Sequence, residues 1–454
     1  MQYQKPVFRW GNRLSPVQVL LLFYFLAVLL STVVMSLPVA YQDGVDIAFI
    51  DIIFTAVSGL SVTGLSSINL SETLSTTGII FLACILQLGA VGVMAISTFI
   101  WLLLGKKIGL KERRLIMADQ NQSTFGGMVR LIKQIVYVLL TIEGIGFLVL
   151  GTYYLKYFDS AGEAYLHGLF GTISAISNGG FDITGASLIP FKDDYFVQFI
   201  NMLLIIFGAI GFPVLIEVKE YIFAKSEQRK YIRFSLFTKV TTTTFMALIV
   251  VGAIGMFLLD ITNFFADKSW HEVLFYSLFQ SVTTRSGGIS TMDVSLLSEP
   301  NHLFMSLLMF IGASPSSAGG GIRTTTFILV VIFIITYARG GKSIRLFNRE
   351  VYDEDLLKAV TVTLMALILI FTSILIMAIV EPFTLTEILF EATSAFGTVG
   401  LSLGITSDLT VISKLILMLL MFIGRVGIIT FLFIFKTNKK SGNYHYPKEK
   451  LIIG

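Results

Sequence analysis

Cysteine is almost absent from this 454-residue chain: Cys84 stands alone, so neither a disulfide nor a multi-thiolate metal site can form within one molecule. The four histidines, His167, His271, His302 and His445, never recur at i, i+4, which removes the usual helical metal-ligand pattern. Neither G-x-G-x-x-G nor G-x-x-x-x-G-K-[ST] occurs, so no nucleotide is expected on this chain. Charge is scarce as well. Asp, Glu, Lys and Arg make up 14% of residues, whereas soluble domains carry about a quarter. No polar stretch is long enough to fold as a cytosolic regulatory domain, and no nucleic-acid partner is expected.

What the chain has is apolar length. It is 55% hydrophobic, with a mean hydropathy of +0.82. Segments of about 20 apolar residues, enough to cross a bilayer, are read at 17–37, 77–104, 134–155, 195–216, 240–259, 303–338, 359–380 and 411–435. The first lacks a small-residue cleavage pattern and reads as a retained helix. An even number of spans puts both termini on one side. The amino-terminal tail, the carboxy-terminal tail and the loops between them on that side are rich in Lys and Arg, with "GKKIGLKERR" (105–114) the clearest marker; the opposite loops are rich in Asp and Glu. Basic loops stay cytoplasmic. The expectation is a multi-pass protein of the cell membrane, its surroundings the lipid bilayer, with both termini cytoplasmic. The acidic outer loops read equally as a solvated surface or as a means of concentrating cations.

Between successive spans on the outer side lies a shorter apolar segment: "FIDIIFTAVSGL" (49–60), "YLHGLFGTISAI" (165–176), "HEVLFYSLFQSVT" (271–283) and "LTEILFEATSAF" (385–396). Each is too short to span but suits a re-entrant helix. Each runs straight into a glycine turn, "SVTGL", "SNGGF", "RSGGI" or "GTVGL", which brings Gly64, Gly180, Gly288 and Gly400 into register. Three short helices also align a Phe with a Ser: Phe54/Ser58, Phe170/Ser174 and Phe390/Ser394; in the third, Ser281 falls one place off. Each following span repeats a glycine, Gly89, Gly208, Gly312 and Gly424. The fold class is therefore all-α polytopic, with four pseudo-fourfold repeats of helix, pore helix, filter turn and helix. The repeats are 1–105, 106–225, 226–345 and 346–454, the last including the carboxy-terminal tail.

Non-helical backbone at membrane depth is tolerated only where protein buries it or it lines a wet cavity. Four glycine turns around one axis would present carbonyl oxygens in place of an ion's hydration shell. The carboxyl ends of the short helices would add partial negative charge. The candidate filter is Val62, Thr63 and Gly64; Asn178, Gly179 and Gly180; Ser286, Gly287 and Gly288; and Thr398, Val399 and Gly400. The alternative is a set of turns joining helices in a bundle that conducts nothing.

With "SVTGL", "FGTVGLS", "GKKIGLKER" and "FIGRVG", the chain resembles, over essentially its whole length, the potassium-transporter superfamily that includes bacterial Trk and Ktr systems and plant HKT transporters. It is most similar to the Ktr membrane subunit. The resemblance implies that Gly64, Gly180, Gly288 and Gly400 line a short filter. Glycine at 64, where sodium-preferring relatives tend to carry serine, implies potassium (K+). The resemblance further implies a homodimer to which the carboxy-terminal end contributes, a cytosolic ring of nucleotide-binding (RCK-type) regulatory subunits, and activation by sodium (Na+).

The sixth span is too long for one straight crossing, and its centre, "GASPSSAGGGIRTT" (312–325), argues against a continuous helix. It is read as a gate loop obstructing the cavity below the filter, or otherwise a packed kink; Gly312, Ser316, Ser317, Gly319, Gly320 and Gly321 carry the reading. Arg425 occupies the level where the first two repeats have Ala90 and Ala209. A mid-membrane arginine is costly unless paired or facing water, so Arg425 reads as an electrostatic barrier, as a cation tied to carbonyls, or as both. The resemblance places a matching arginine beside the loop. Arg323 follows the loop where relatives often carry Lys. Arg285 is expected to brace the third turn from behind; Glu143 reads as a hydrogen-bonded or paired structural carboxyl, the alternative being a site for a second cation. The function expected is gated potassium translocation without catalytic residues, the alternative being a sodium- or proton-coupled symporter. An enzyme would need an acid, base, metal or nucleophile constellation that Glu143, Arg323 and Arg425 do not make.

Overall fold

The computed structural model describes residues 16–92, 128–341, 343–432, 447 and 449. The basic marker at 105–114, the repeat boundary at 105/106, the amino-terminal residues and most of the carboxy-terminal tail lie outside the described residues.

Four long helices begin four successive units: Pro16–Met35, Met128–Tyr154, Leu236–Asp260 and Asp353–Val380. Each is long and apolar enough to cross a membrane. Their starts follow local chemistry. The Ser235 side chain accepts the Thr238 N–H, and Asp353, Glu354 and Asp355 crowd a first turn where negative charge suits the helix dipole. Phe25, Ile254 and Phe371 stay exposed on these helices, as a lipid-facing surface requires.

Each long helix is followed by a short one: Phe49–Ser61, Ala161–Ser177, Trp270–Thr283 and Leu385–Gly397. Capping boxes start two of them, Ser269 with Glu272 and Thr384 with Glu387. A fully buried phenylalanine recurs in each short helix, Phe54, Phe170, Phe279 and Phe390, and the fourth helix adds Phe396. The third unit thus keeps the Phe-to-hydroxyl spacing through Phe279 and Thr283, and its turn is one residue shorter. The alignment that left Ser281 out of place is corrected accordingly; Ser281 instead donates to the Ile249 carbonyl of the preceding long helix.

The second long element of each unit is where the structure departs from eight unbroken crossings. Thr76–Val91, Tyr195–Ala209, Glu299–Ile311 and Val411–Val426 all stop at or within three residues of the repeated glycines Gly89, Gly208, Gly312 and Gly424. The predicted span 195–216 is broken: Tyr195–Ala209 and Phe212–Phe223 meet at 107°. The span 411–435 is interrupted at Gly427 before the short helix Ile428–Leu432. Gly92, Gly211 and Gly427 share φ 94°, 103° and 92° with ψ 136°, 128° and 139°. That conformation, open to glycine, cannot continue a helix. The break expected in the sixth span alone is therefore shared by the second and fourth units, and the described helix of the first unit ends at Gly92 in the same conformation.

Three glycines on these elements let backbones touch. A Cβ on Gly89, Gly208 or Gly424 would lie 2.3, 2.1 and 2.0 Å from the carbonyl oxygens of Leu60, Ile176 and Phe396, at the ends of the short helices. The first and fourth units are further joined by a part-buried ion pair, Lys414 to Asp51, at 2.8 Å. A two-residue hairpin, Arg345–Leu346 against Arg349–Glu350, turns through Phe347 and Asn348, both at positive φ, as a type I′ turn requires.

Candidate functional site

The four short helices end in one backbone design. The first turn residue, Val62, Asn178, Ser286 or Thr398, is left-handed, with φ of 57°, 58°, 77° and 46°. The N–H of the next residue returns to a helix carbonyl: Thr63 to Ser58, Gly179 to Ser174, Gly287 to Thr283 and Val399 to Ser394, all at 2.7–2.9 Å. In the first, second and fourth units this is a Schellman-type ending built without glycine at its left-handed position. β-Branched Val62 and Thr398 resist that conformation, so tertiary packing imposes it.

Gly64, Gly180, Gly288 and Gly400 follow with φ 93°, 66°, 72° and 97°. They converge. A Cβ at Gly64 would lie 2.8 Å from the Gly180 Cα, and one at Gly180 would lie 3.0 Å from the Gly288 Cα. At Gly288 it would meet the Val399 oxygen at 2.1 Å, and at Gly400 the Gly64 Cα at 3.0 Å. The turns therefore meet in cyclic order around a centre that only glycine leaves open. Hydroxyls brace each turn. Ser58 and Ser394 accept the N–H groups of Gly64 and Gly400 at 3.1 Å, while Ser174 and Thr283 donate to the carbonyls of Phe181 and Ile289 at 2.6 Å. With its amide oriented as its neighbours require, Asn178 donates to Ala175 and Ile205 carbonyls and accepts the Ala209 N–H, away from the ring.

The non-helical segment is 312–323, two residues shorter than the expected 312–325 loop, because Thr324 and Thr325 begin the helix Thr324–Ala338. It packs against this ring, contacts the second and fourth units, and is linked to the first through Arg425. Its Ser314 and Ala318 N–H groups donate to the Ala209 and Gly208 carbonyls of the second unit, and the Ser316 carbonyl accepts the Phe212 N–H. Gly319 sits against Ser286, where a Cβ would come within 2.5 Å; Gly320 sits against Thr398, where one would come within 2.6 Å. Gly312 and Gly321 turn the chain at φ 69° and 86°. The Ser317 hydroxyl donates to the Ser314 carbonyl. The segment is buried, ordered by its own hydrogen bonds, and is not helix.

Arg425, in the last turn of Val411–Val426, aims its guanidinium at carbonyls on two sides. Nη1 donates to Ser317 and Ala318 of the loop, Nη2 to Gly89 and Ala90 of the first unit. Arg323 donates to the carbonyls of Ser314, Gly319 and Arg425. Two cations thus lie close together, each held by backbone dipoles. Arg285 is buried and donates Nη2 to the Leu308 carbonyl at 2.6 Å. Glu143 accepts from Gln87 Nε2 at 2.7 Å. Among the described residues no group of three or more His, Cys, Asp or Glu could hold a metal ion.

Two features escaped the sequence reading. Glu391, on the fourth short helix, is fully buried and accepts from the Ser402 and Thr406 hydroxyls, anchoring the segment after the fourth turn. Its signal was a carboxylate inside an apolar run just before a turn. The break glycines Gly92, Gly211 and Gly427 were visible as the second glycine of "GAVG", "GAIG" and "GRVG".

Comparison with known proteins agrees with this architecture. The family model described as "TrkH: Cation transport protein" matches residues 24–446. The chain is 57% identical to the Ktr system potassium uptake protein D of Bacillus subtilis, covering 97% of this chain and 98% of that protein. It is 34% identical to the Ktr system potassium uptake protein B of the same organism, covering 99% and 98%. It is 31% identical to the potassium/sodium uptake protein NtpJ of Enterococcus hirae, covering 98% and 99%. Among solved structures, the potassium transporter TrkH of Vibrio parahaemolyticus matches with a TM-score of 0.72 over 94% of this chain and 87% of that one, at 18% identity. This last likeness is one of fold.

Proposed function

Because this chain belongs to the TrkH family of cation transport proteins, among its Ktr-type members, we propose that it conducts potassium across the membrane through the ring at Gly64, Gly180, Gly288 and Gly400. The family transports cations and is not a family of enzymes. The observation that carries the reading is the fourfold recurrence of one backbone design, a left-handed residue followed by a positive-φ glycine, at four turns that meet. Carbonyls arranged this way replace hydration water around a cation. The glycines keep the centre free of side chains, and four helix carboxyl ends add negative potential.

The buried 312–323 segment with Arg425 acts, in this reading, as a gate. It packs against the ring, and the nearby guanidinium repels a cation. Flux then requires the segment to leave its hydrogen bonds to the second unit and to Arg425. Potassium is the cargo, as in the names of the two Bacillus subtilis relatives, and sodium activates, as the sequence resemblance implies. The protein works as a homodimer with a cytosolic nucleotide-binding ring, both termini cytoplasmic. The four units correspond to repeats 1–105, 106–225, 226–345 and 346–454.

The test is potassium flux into liposomes holding the purified protein under an imposed membrane potential, with and without sodium. Flux that follows the potassium gradient and the potential, and rises with sodium, supports a gated pore. Flux that runs only with a stoichiometric sodium or proton gradient makes the protein a coupled symporter instead.

A further inference from the structure

The third turn is set apart from the other three by more than its length. Its neighbours Arg285 and Ser286 hold the two ends of the buried 312–323 segment. Arg285 donates to the Leu308 carbonyl, which also accepts the N–H of Gly312, the residue that opens the segment, at 3.2 Å. The Ser286 hydroxyl receives the N–H of Gly320, near the segment's end, at 3.3 Å. The same hydroxyl donates to the carbonyl of Thr398 in the fourth turn at 2.5 Å, with the Gly397 carbonyl and Thr398 Oγ1 each at 3.1 Å. Val62, at the equivalent position of the first turn, has no hydroxyl, and the Asn178 amide faces the other way.

Gly320 N–H to Ser286 Oγ–H to Thr398 C=O is a chain of hydrogen bonds, in which each bond polarises the next. With the segment seated, the Ser286 hydroxyl is the stronger donor, and the Thr398 carbonyl is more fully engaged. A cation in the ring needs the turn carbonyls for itself. We propose that Ser286 is a positioning residue that couples ion occupancy of the ring to the seating of the 312–323 segment. Bound potassium favours the displaced segment, and the seated segment weakens potassium binding. The inference rests on the reading of the ring as a potassium filter. Coupling of this kind is reciprocal, since each event changes the free energy of the other by the same amount.

The single cysteine makes the test clean. The full-length protein in lipid nanodiscs carries Cys84→Ser and Ser317→Cys, the latter nearly isosteric and within the segment. Two quantities are measured: potassium binding by calorimetry, and the alkylation rate of the new thiol with and without saturating potassium. Potassium is expected to speed alkylation about fivefold or more. Ser286→Ala should abolish that dependence and tighten potassium binding, because the seated segment then no longer engages the Thr398 carbonyl through this hydroxyl. Ser286→Thr should restore it, since Thr398 shows that threonine adopts the required left-handed backbone. Gly320→Ala, whose Cβ meets Thr398 Oγ1, should unseat the segment with Ser286 intact and tighten potassium binding; it keeps the inference falsifiable if Ser286→Ala does not fold. Potassium binding with no change in alkylation, or a dependence that survives Ser286→Ala, overturns the coupling and leaves the filter standing. No potassium binding at all overturns both.

Discussion

Arg323 holds the backbone angles of Gly211, φ 80° and ψ 144° against φ 103° and ψ 128°. The third unit thus makes the same break as the second and fourth, but after eight inserted residues counted from the aligned Gly208, Gly312 and Gly424, and with an arginine where glycine would sit freely. A side chain in this region costs about 1–3 kcal/mol and persists only when its surroundings impose it. Here they do: the guanidinium reaches three carbonyls, and the Arg323 N–H donates to the Ile311 carbonyl.

This leads to a stability comparison. Arg323→Gly and Arg323→Ala both remove the guanidinium, but only glycine relaxes the backbone. The glycine variant should be the more stable by about 1 kcal/mol, after its greater unfolded-state entropy is set against the strain. Denaturant titration in detergent measures the difference; equal stability would show that Arg323 bears no strain.

Selectivity should respond at Gly64. A serine there adds a Cβ 2.5 Å from the Gly179 oxygen, on backbone at φ 93°. The first turn must shift, and the ring loses its fit to potassium. Competitive flux in liposomes should show the potassium-over-sodium preference falling by roughly tenfold, the change produced by about 1.4 kcal/mol of differential binding. An unchanged preference would remove Gly64 from the filter.

Leak should rise when the segment is loosened. Arg425→Ala deletes hydrogen bonds from a charged donor, worth about 1.5–3 kcal/mol each, that tie the segment to the first unit. Deleting Gly319–Gly321 removes the part that packs on Ser286 and Thr398. Either change should raise potassium flux measured without any partner by about tenfold or more. Unaltered flux in a well-folded variant would exclude the gate.

Acid should loosen the start of the helix Tyr195–Ala209. Burial raises the affinity of the Asp194 carboxyl for a proton, but the Tyr157 and Tyr153 hydroxyls and the N–H groups of Val197 and Phe196 outweigh it and hold its pKa below the ordinary aspartate value. A depressed pKa contributes stability above the unfolded-state value, and that stability is lost as pH falls through the folded value. Melting temperature should therefore drop on acidification below the ordinary aspartate range. Asp194→Asn, which keeps an N-cap but no titrating charge, should flatten that part of the profile.

Apolar length and the glycine-turn period are properties of the chain read in order, and they were enough for the class of fold. Gly64, Gly180, Gly288 and Gly400 were legible for the same reason: a backbone that must turn where no side chain fits leaves glycine at a fixed place in every copy. The third helix misled the count, since a one-residue deletion moves the hydroxyl from serine to Thr283, and only the return of the Gly287 N–H to Thr283 shows the equivalence. Only the tertiary structure decided that the second and fourth units break at a positive-φ glycine as the third does at Arg323, that Arg425 reaches the carbonyls of Gly89 and Ala90, and that Ser286 bonds both Thr398 and Gly320. Those bonds join residues far apart in the chain, and no local propensity encodes them. They exist because close-packed backbones leave buried carbonyls and N–H groups that must find partners wherever the fold puts one within reach.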